Sequence, residues 1–283
     1  MAWVRAVLRL DALASLAGMI AVLGLTGWLI AGPDGLLVTA AVGLLSVALA
    51  PTVPPGVAMR VLGARPVHPE QAPGLYTLLI ELAEAAGLRQ PPVLYRIPGG
   101  SVSALSVGDG ERAAIALSDG MTMVMDAREL RGVLAHEVAH VAAADTALMS
   151  LAAVLGRIVH TLATFGLIAA IVVAVFTPAV VPVWLVLAIA LAPWGATLLH
   201  LHLSRRREFA ADAAAARLTG DPQGLARALV KLETLPRRGL GHLMRPSGGW
   251  SRGGWLRTHP STRDRIERLV GPIRDRVRPL AEL

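Results

Sequence analysis

Between Thr161 and Leu199 the chain carries no charged residue and no histidine. In hydrocarbon every backbone N–H and C=O must be satisfied within the segment, and a helix of about 20 apolar residues spans the bilayer, so this stretch reads as two membrane helices. Thr177 to Pro182 is the natural turn, giving spans over residues 158–176 and 183–201. A second apolar region lies near the N-terminus: residues 12–30, the turn Ala31-Gly32-Pro33-Asp34-Gly35, and residues 36–50 before Pro51, Pro54 and Pro55. Arg5 and Arg9 flank the first run as they would a signal peptide. Its length, and the second apolar run that follows without a small-residue cleavage site, favour a retained anchor. Composition agrees with a multi-pass membrane protein, 54% hydrophobic and 17% charged over 283 residues. Arg60 and Arg65 follow the first hairpin and Arg205, Arg206 and Arg207 the second, whereas the turns carry only Asp34. The positive-inside rule then places both termini and the regions outside the hairpins in the cytoplasm. Arg157, His160, His200 and His202 sit at span ends and read as snorkelling side chains.

The region between the hairpins reads as folded in water. Residues 73–87 have helical apolar spacing, and residues 93–97, 102–107 and 113–117 are short runs bounded by Pro and Gly, the strands of a small sheet with a hairpin at Gly108-Asp109-Gly110. Asp126 and Glu129 form a capping box, so the next helix starts at Ala127. That helix carries His136-Glu137-Val138-Ala139-His140, an HExxH sequence. At 3.6 residues per turn the two histidines stack on one face and can share a metal ion, with Glu137 beside them to take a proton from a water. The bland alternative is an amphipathic helix with two surface histidines. No cysteine is present, which removes thiol nucleophiles and leaves His and carboxylates as metal ligands. After the second hairpin, residues 204–220 form an alanine-rich helical segment in which Glu208 offers a third ligand and Asp212, one turn on, a carboxylate to orient a histidine. Read alone, Glu208 and Asp212 fit a solvated face paired with Arg205 and Arg217 equally well. The domain boundaries expected are residues 1–60 and 158–203 for the hairpins, with 61–157 and 204–283 forming a split catalytic domain.

Three segments together carry a resemblance: residues 130–145 with the HExxH, residues 204–220 with Glu208 and Asp212, and Thr258-His259-Pro260-Ser261-Thr262-Arg263 ahead of Ile266 and Leu269. The chain resembles the HtpX-like membrane zinc endopeptidases, relatives of the CAAX prenyl endopeptidases in the gluzincin group. The resemblance implies a mainly α membrane protein with four transmembrane helices in two hairpins and an α+β zincin-like cytoplasmic domain. It also implies one zinc ion per chain on His136, His140 and Glu208, with Glu137 as general base. His259, held extended before Pro260, is favoured as an oxyanion donor with Arg263 in support; the alternative has His259 capping the closing helix and Arg263 paired with Glu267. Ser103 stands where such proteins carry an Asn over the site, and a single hydroxyl makes a poorer substrate-backbone contact.

Residues 223–235 and 262–270 read as helices. Residues 236–258, rich in Gly and Arg with Trp250 and Trp255, suit a lid, a binding loop, disorder or a contact with headgroups. The net charge of +7 comes from arginines that flank apolar segments instead of forming a basic stripe, so nucleic acid is not an expected partner. The near-absence of lysine suggests coding bias in a GC-rich bacterial genome. The function expected is hydrolysis of peptide bonds in membrane or misfolded proteins at the cytoplasmic face of the cell membrane, as in quality control under stress. A metal-binding sensor or scaffold is the rival, and a transporter is disfavoured because paired charges are missing from the spans. Substrate preference and oligomeric state are open.

Overall fold

The computed structural model describes residues 2–49, 54–109, 112–178, 180–235 and 260–271. The chain divides into two compact units, Met1–Thr52 with Ala147–Arg206 and Val53–Thr146 with Arg207–Leu283.

The first unit is built from helices. α1 (Ala2–Leu49) is interrupted at Ala31 and Gly32, where Gly32 has φ +61°, and Pro33 begins the second arm. Proline is tolerated there because the first turn of a helix has no partner for its N–H. The two arms fold back on each other, and glycine makes the approach possible. A Cβ on Gly35 would stand 2.0 Å from the Gly27 carbonyl oxygen, and one on Gly27 would stand 2.5 Å from that of Gly35. The buried hydroxyls of Thr26 and Thr39 donate back to the Val22 and Gly35 carbonyls at 2.7 and 2.8 Å, so neither is left unsatisfied in an apolar setting. The parts of α6 (Asp145–Phe176) and α7 (Val183–Thr219) that fall within residues 147–206 complete the unit. Ala12, Met19 and Leu23 pack with Leu151, Leu155, Val159, Ala196 and Leu203 in its core. Among the described residues three helices, α1, α6 and α7, are long and apolar enough to cross a membrane. Phe165, Ile171, Val175, Trp184, Leu187 and Leu191 lie exposed along two of them, a pattern that suits lipid and would be costly in water. α6 starts at Asp145, well before the span expected from residue 158, because the alanine- and leucine-rich residues 147–157 continue the helix without a breaker.

The second unit holds a four-stranded mixed sheet in the order β1-β2-β4-β3. β2 (Val93–Ile97) runs parallel to β4 (Arg112–Ser118), while β1 (Arg65–Pro66) and β3 (Ala104–Asp109) pair antiparallel at the two edges. β4 is central, and its residues Ala113 to Ser118 are all buried. Among the described residues this unit also holds the helices α2 (Pro55–Val61), α3 (Pro73–Ala85), α4 (Asp119–Val124), α5 (Ala127–Ala142), α8 (Pro222–Thr234) and α9 (Thr262–Val270), with the C-terminal part of α7. The short elements β1, α2 and α4 were not anticipated from the sequence. The core joins Leu79, Leu82, Leu94, Ile115 and Leu117 to Leu134 and Val138 of α5, Leu225 and Leu229 of α8, and Ile266 of α9.

α5 is fixed at its start. Asp126 accepts from the Glu129 N–H at 2.8 Å and Glu129 accepts from the Asp126 N–H at 2.9 Å, the capping box read from the sequence. Lys231 of α8, the chain's single lysine, donates to the same Glu129 carboxylate at 2.6 Å. Gly132 lets the Leu225 backbone close on α5, since a Cβ there would lie 2.7 Å from the Leu225 nitrogen.

Candidate metal centre

All the residues brought together at this centre belong to the second unit. His136 and His140, one turn apart on α5, turn their Nε2 atoms towards each other at 3.1 Å, with ring planes nearly perpendicular. Glu208 of α7 closes the group, its carboxylate oxygens 3.6 Å from His136 Nε2 and 3.9 Å from His140 Nε2. One ligand atom from each of the three residues lies within 4.8 Å of the others.

The far side of each ring is engaged. His140 Nδ1 lies 2.8 Å from Asp145 Oδ2, and His136 Nδ1 stands 3.0 Å from Asp212 Oδ1, in contact though not aligned for a hydrogen bond. A neutral imidazole that donates through Nδ1 presents a lone pair at Nε2. With both rings in that form, two Nε2 lone pairs and the Glu208 carboxylate converge on one point, an arrangement that a bound cation would stabilise. Donors arranged tetrahedrally around zinc stand about 3.3 Å apart. The donor set and its spacings fit zinc.

Two arginines complete the arrangement. Arg265 of α9 grips Asp212 through Nε and Nη2 at 2.7 and 2.6 Å and reaches Glu208 through Nη1 at 3.2 Å. Arg207 pairs with Asp145. Burial disfavours the charged form of His140, but the Asp145 hydrogen bond and the charges of Glu137, Glu208 and Asp145 outweigh it and hold its pKa above the ordinary histidine value. Glu137 is buried beside the histidines, and no ion pair among the described residues ties up its carboxylate.

Of the other sequence candidates, two are among the described residues. Arg263 is exposed and donates to Glu267 at 2.9 Å, away from this cluster. His259 falls outside the described residues; the N-cap of α9 is Ser261, whose hydroxyl accepts from the Asp264 N–H. Ser103 precedes β3, the edge strand that packs against α5, and its backbone is tied on both sides to Ser118. Sequence reasoning overlooked Asp145, Arg207 and Arg265.

The model of peptidase family M48 matches residues 69–273. The chain belongs to this family. It is therefore a metalloprotease, a hydrolase of a family that is zinc-dependent in general. The curated relatives are protease HtpX homologs: that of Acaryochloris marina is 39% identical over 232 residues, 76% of this chain and 77% of the relative. The homolog of Kineococcus radiotolerans is 36% identical over 262 residues, 84% and 86% of the two chains. That of Pyrococcus abyssi is 34% identical over 256 residues, 86% and 88%. Among solved structures, S. mikatae Ste24p aligns over 93% of this chain and 64% of its own, with a TM-score of 0.47 and 20% identity.

Proposed function

We propose that the chain is an integral-membrane zinc endopeptidase that cleaves membrane or misfolded proteins at the cytoplasmic face of the cell membrane. The observation that carries this reading is the convergence of two imidazole Nε2 atoms and the Glu208 carboxylate on one point beside Glu137, whose carboxylate has no ion pair among the described residues. Four membrane crossings follow if each arm of the broken α1 counts as one, with α6 and α7 supplying the others.

His136, His140 and Glu208 would hold one zinc ion. Bound there, zinc supplies Lewis acidity for a scissile carbonyl and an attacking water. Glu137 accepts the proton of that water on a carboxylate oxygen and delivers it to the leaving amine. Asp212 sets the His136 ring, and Arg265 keeps Asp212 ionised and holds the Asp212 and Glu208 carboxylates in place. The supporting part that the sequence assigned to Arg263 passes to Arg265. His259 would donate a hydrogen bond to the developing oxyanion, and Ser103 would meet the substrate backbone at the end of β3.

Cleavage of an unfolded protein by the purified chain, before and after chelation, tests this reading. Activity that is lost with the metal and restored by zinc supports it. Activity indifferent to chelation contradicts it, and a zinc-loaded chain that cleaves nothing favours the sensor or scaffold.

A further inference from the structure

Asp145 is the first residue of α6, and it follows Ala144, the one described non-glycine residue with positive φ, +55°. Such a conformation costs an alanine about 1 kcal/mol or more. Its consequence is local. Were α5 to continue, residue 145 would lie five positions beyond His140, about 140° around the helix axis and off its face. The left-handed step at Ala144 ends α5 and returns the Asp145 carboxylate to the His140 ring.

The two oxygens of that carboxylate have separate partners. Oδ2 meets His140 Nδ1 at 2.8 Å, and Oδ1 meets the Arg207 guanidinium. Both residues are buried, Asp145 at 3% and Arg207 at 8% exposure. An ion pair this deep rarely adds net stability over apolar packing, because desolvation of two charges offsets their attraction. What it fixes is geometry. Arg207 is joined by a peptide bond to Glu208, so the chain His140–Asp145–Arg207–Glu208 links two of the three candidate ligands through buried contacts.

We propose that Asp145 is a positioning residue of the metal centre, setting the His140 ring through Nδ1, and that Arg207 holds Asp145 in that position while registering Glu208 against it. The inference rests on the reading of His136, His140 and Glu208 as a zinc site. With the His136–Asp212–Arg265 contacts, each histidine then has its own carboxylate backed by its own arginine.

The test uses the full chain purified in detergent, with zinc affinity measured by competition against a chromophoric chelator and the absorption of the cobalt(II)-loaded protein as a report on ligand geometry. Asp145→Asn keeps the shape of the side chain but not its charge. It should weaken zinc binding about 10- to 100-fold and shift the cobalt bands. Arg207→Gln should move both readouts in the same direction, and Arg207→Lys, which restores the charge, should recover most of the loss. Wild-type affinity with an unchanged cobalt spectrum in Asp145→Asn overturns the proposal. A lower melting temperature without any change in affinity also overturns it, assigning the pair to folding alone. Should Asp145→Asn not fold, the Arg207 variants decide: equal zinc affinity in Gln, Lys and wild type is the contrary result. A wild-type chain without stoichiometric zinc, or one whose zinc survives His136→Ala, would instead refute the metal-centre reading beneath it.

Discussion

Arg265 contacts two buried carboxylates at once, and replacing it with methionine should have an effect whose size depends on the metal. The guanidinium lies 2.6 and 2.7 Å from Asp212 and 3.2 Å from Glu208, and its side chain is only 12% exposed. Without it, two carboxylates are left in the interior with no arginine between them. Removing one partner of a buried ion pair costs about 3–5 kcal/mol. For a folded unit of ordinary size this lowers the melting temperature by about 6–20 °C in the metal-free protein. With zinc bound, Glu208 ligates a cation and Asp212 faces a histidine polarised by the same ion, so about half of that loss or less should remain. By linkage, zinc raises the melting temperature further in Arg265→Met than in the wild type. Differential scanning of both proteins, chelated and zinc-loaded, measures the four values. Equal shifts with and without zinc, or a shift under about 2 °C in the metal-free state, would refute the electrostatic account of Arg265.

Three further outcomes are expected. Elemental analysis should find about one zinc per chain in the wild type and little in His136→Ala, His140→Ala or Glu208→Ala, and full occupancy in Glu208→Ala would remove that residue from the site. Gly132→Ala should destabilise by about 1–3 kcal/mol, although alanine is the better helix former, because its Cβ would lie 2.7 Å from the Leu225 nitrogen and push α8 off α5; a rise in stability on chemical unfolding would show that α8 yields freely. For topology, single cysteines at Asp34 and Val180 should react with an impermeant thiol reagent outside intact cells and one at Glu84 should not. Asp34 is the position in the turn to label, since a side chain at the neighbouring Gly35 would collide with the Gly27 carbonyl, and the opposite labelling pattern would invert the orientation.

What the sequence disclosed depended on how local the controlling physics was. The HExxH pair, the capping box of Asp126 and Glu129 and the helix over Thr262–Val270 all follow from spacings within a turn or two, and the apolar runs follow from length alone. The Arg265 contacts with Asp212 cross 53 residues, beyond any periodicity. A signal was nevertheless present. On α9, Arg265 is flanked at helical spacing by Thr262 and Leu269 and neighbours the buried Ile266, which places it on the packed face, whereas Arg263 is four residues from Glu267 on the solvent side. Asp145 was obscured for another reason. It stands where soluble patterning gives way to apolar patterning, and nothing in composition marks Ala144 as left-handed, a conformation usually announced by glycine or asparagine. The break in α1 was legible as a turn, but the close contact of its arms depends on Gly27 facing Gly35, a pairing the chain reveals only once folded.

The most direct test compares wild-type chain with Glu137→Gln for zinc content and for cleavage of an unfolded protein in the same preparation. Glu137 is the one member of the cluster expected to move a proton without holding the ion, so the variant should keep about one zinc per chain and lose at least about 10²-fold in rate, the range for general base catalysis. A Glu137→Gln protein that retains zinc and cleaves at the wild-type rate would contradict the account.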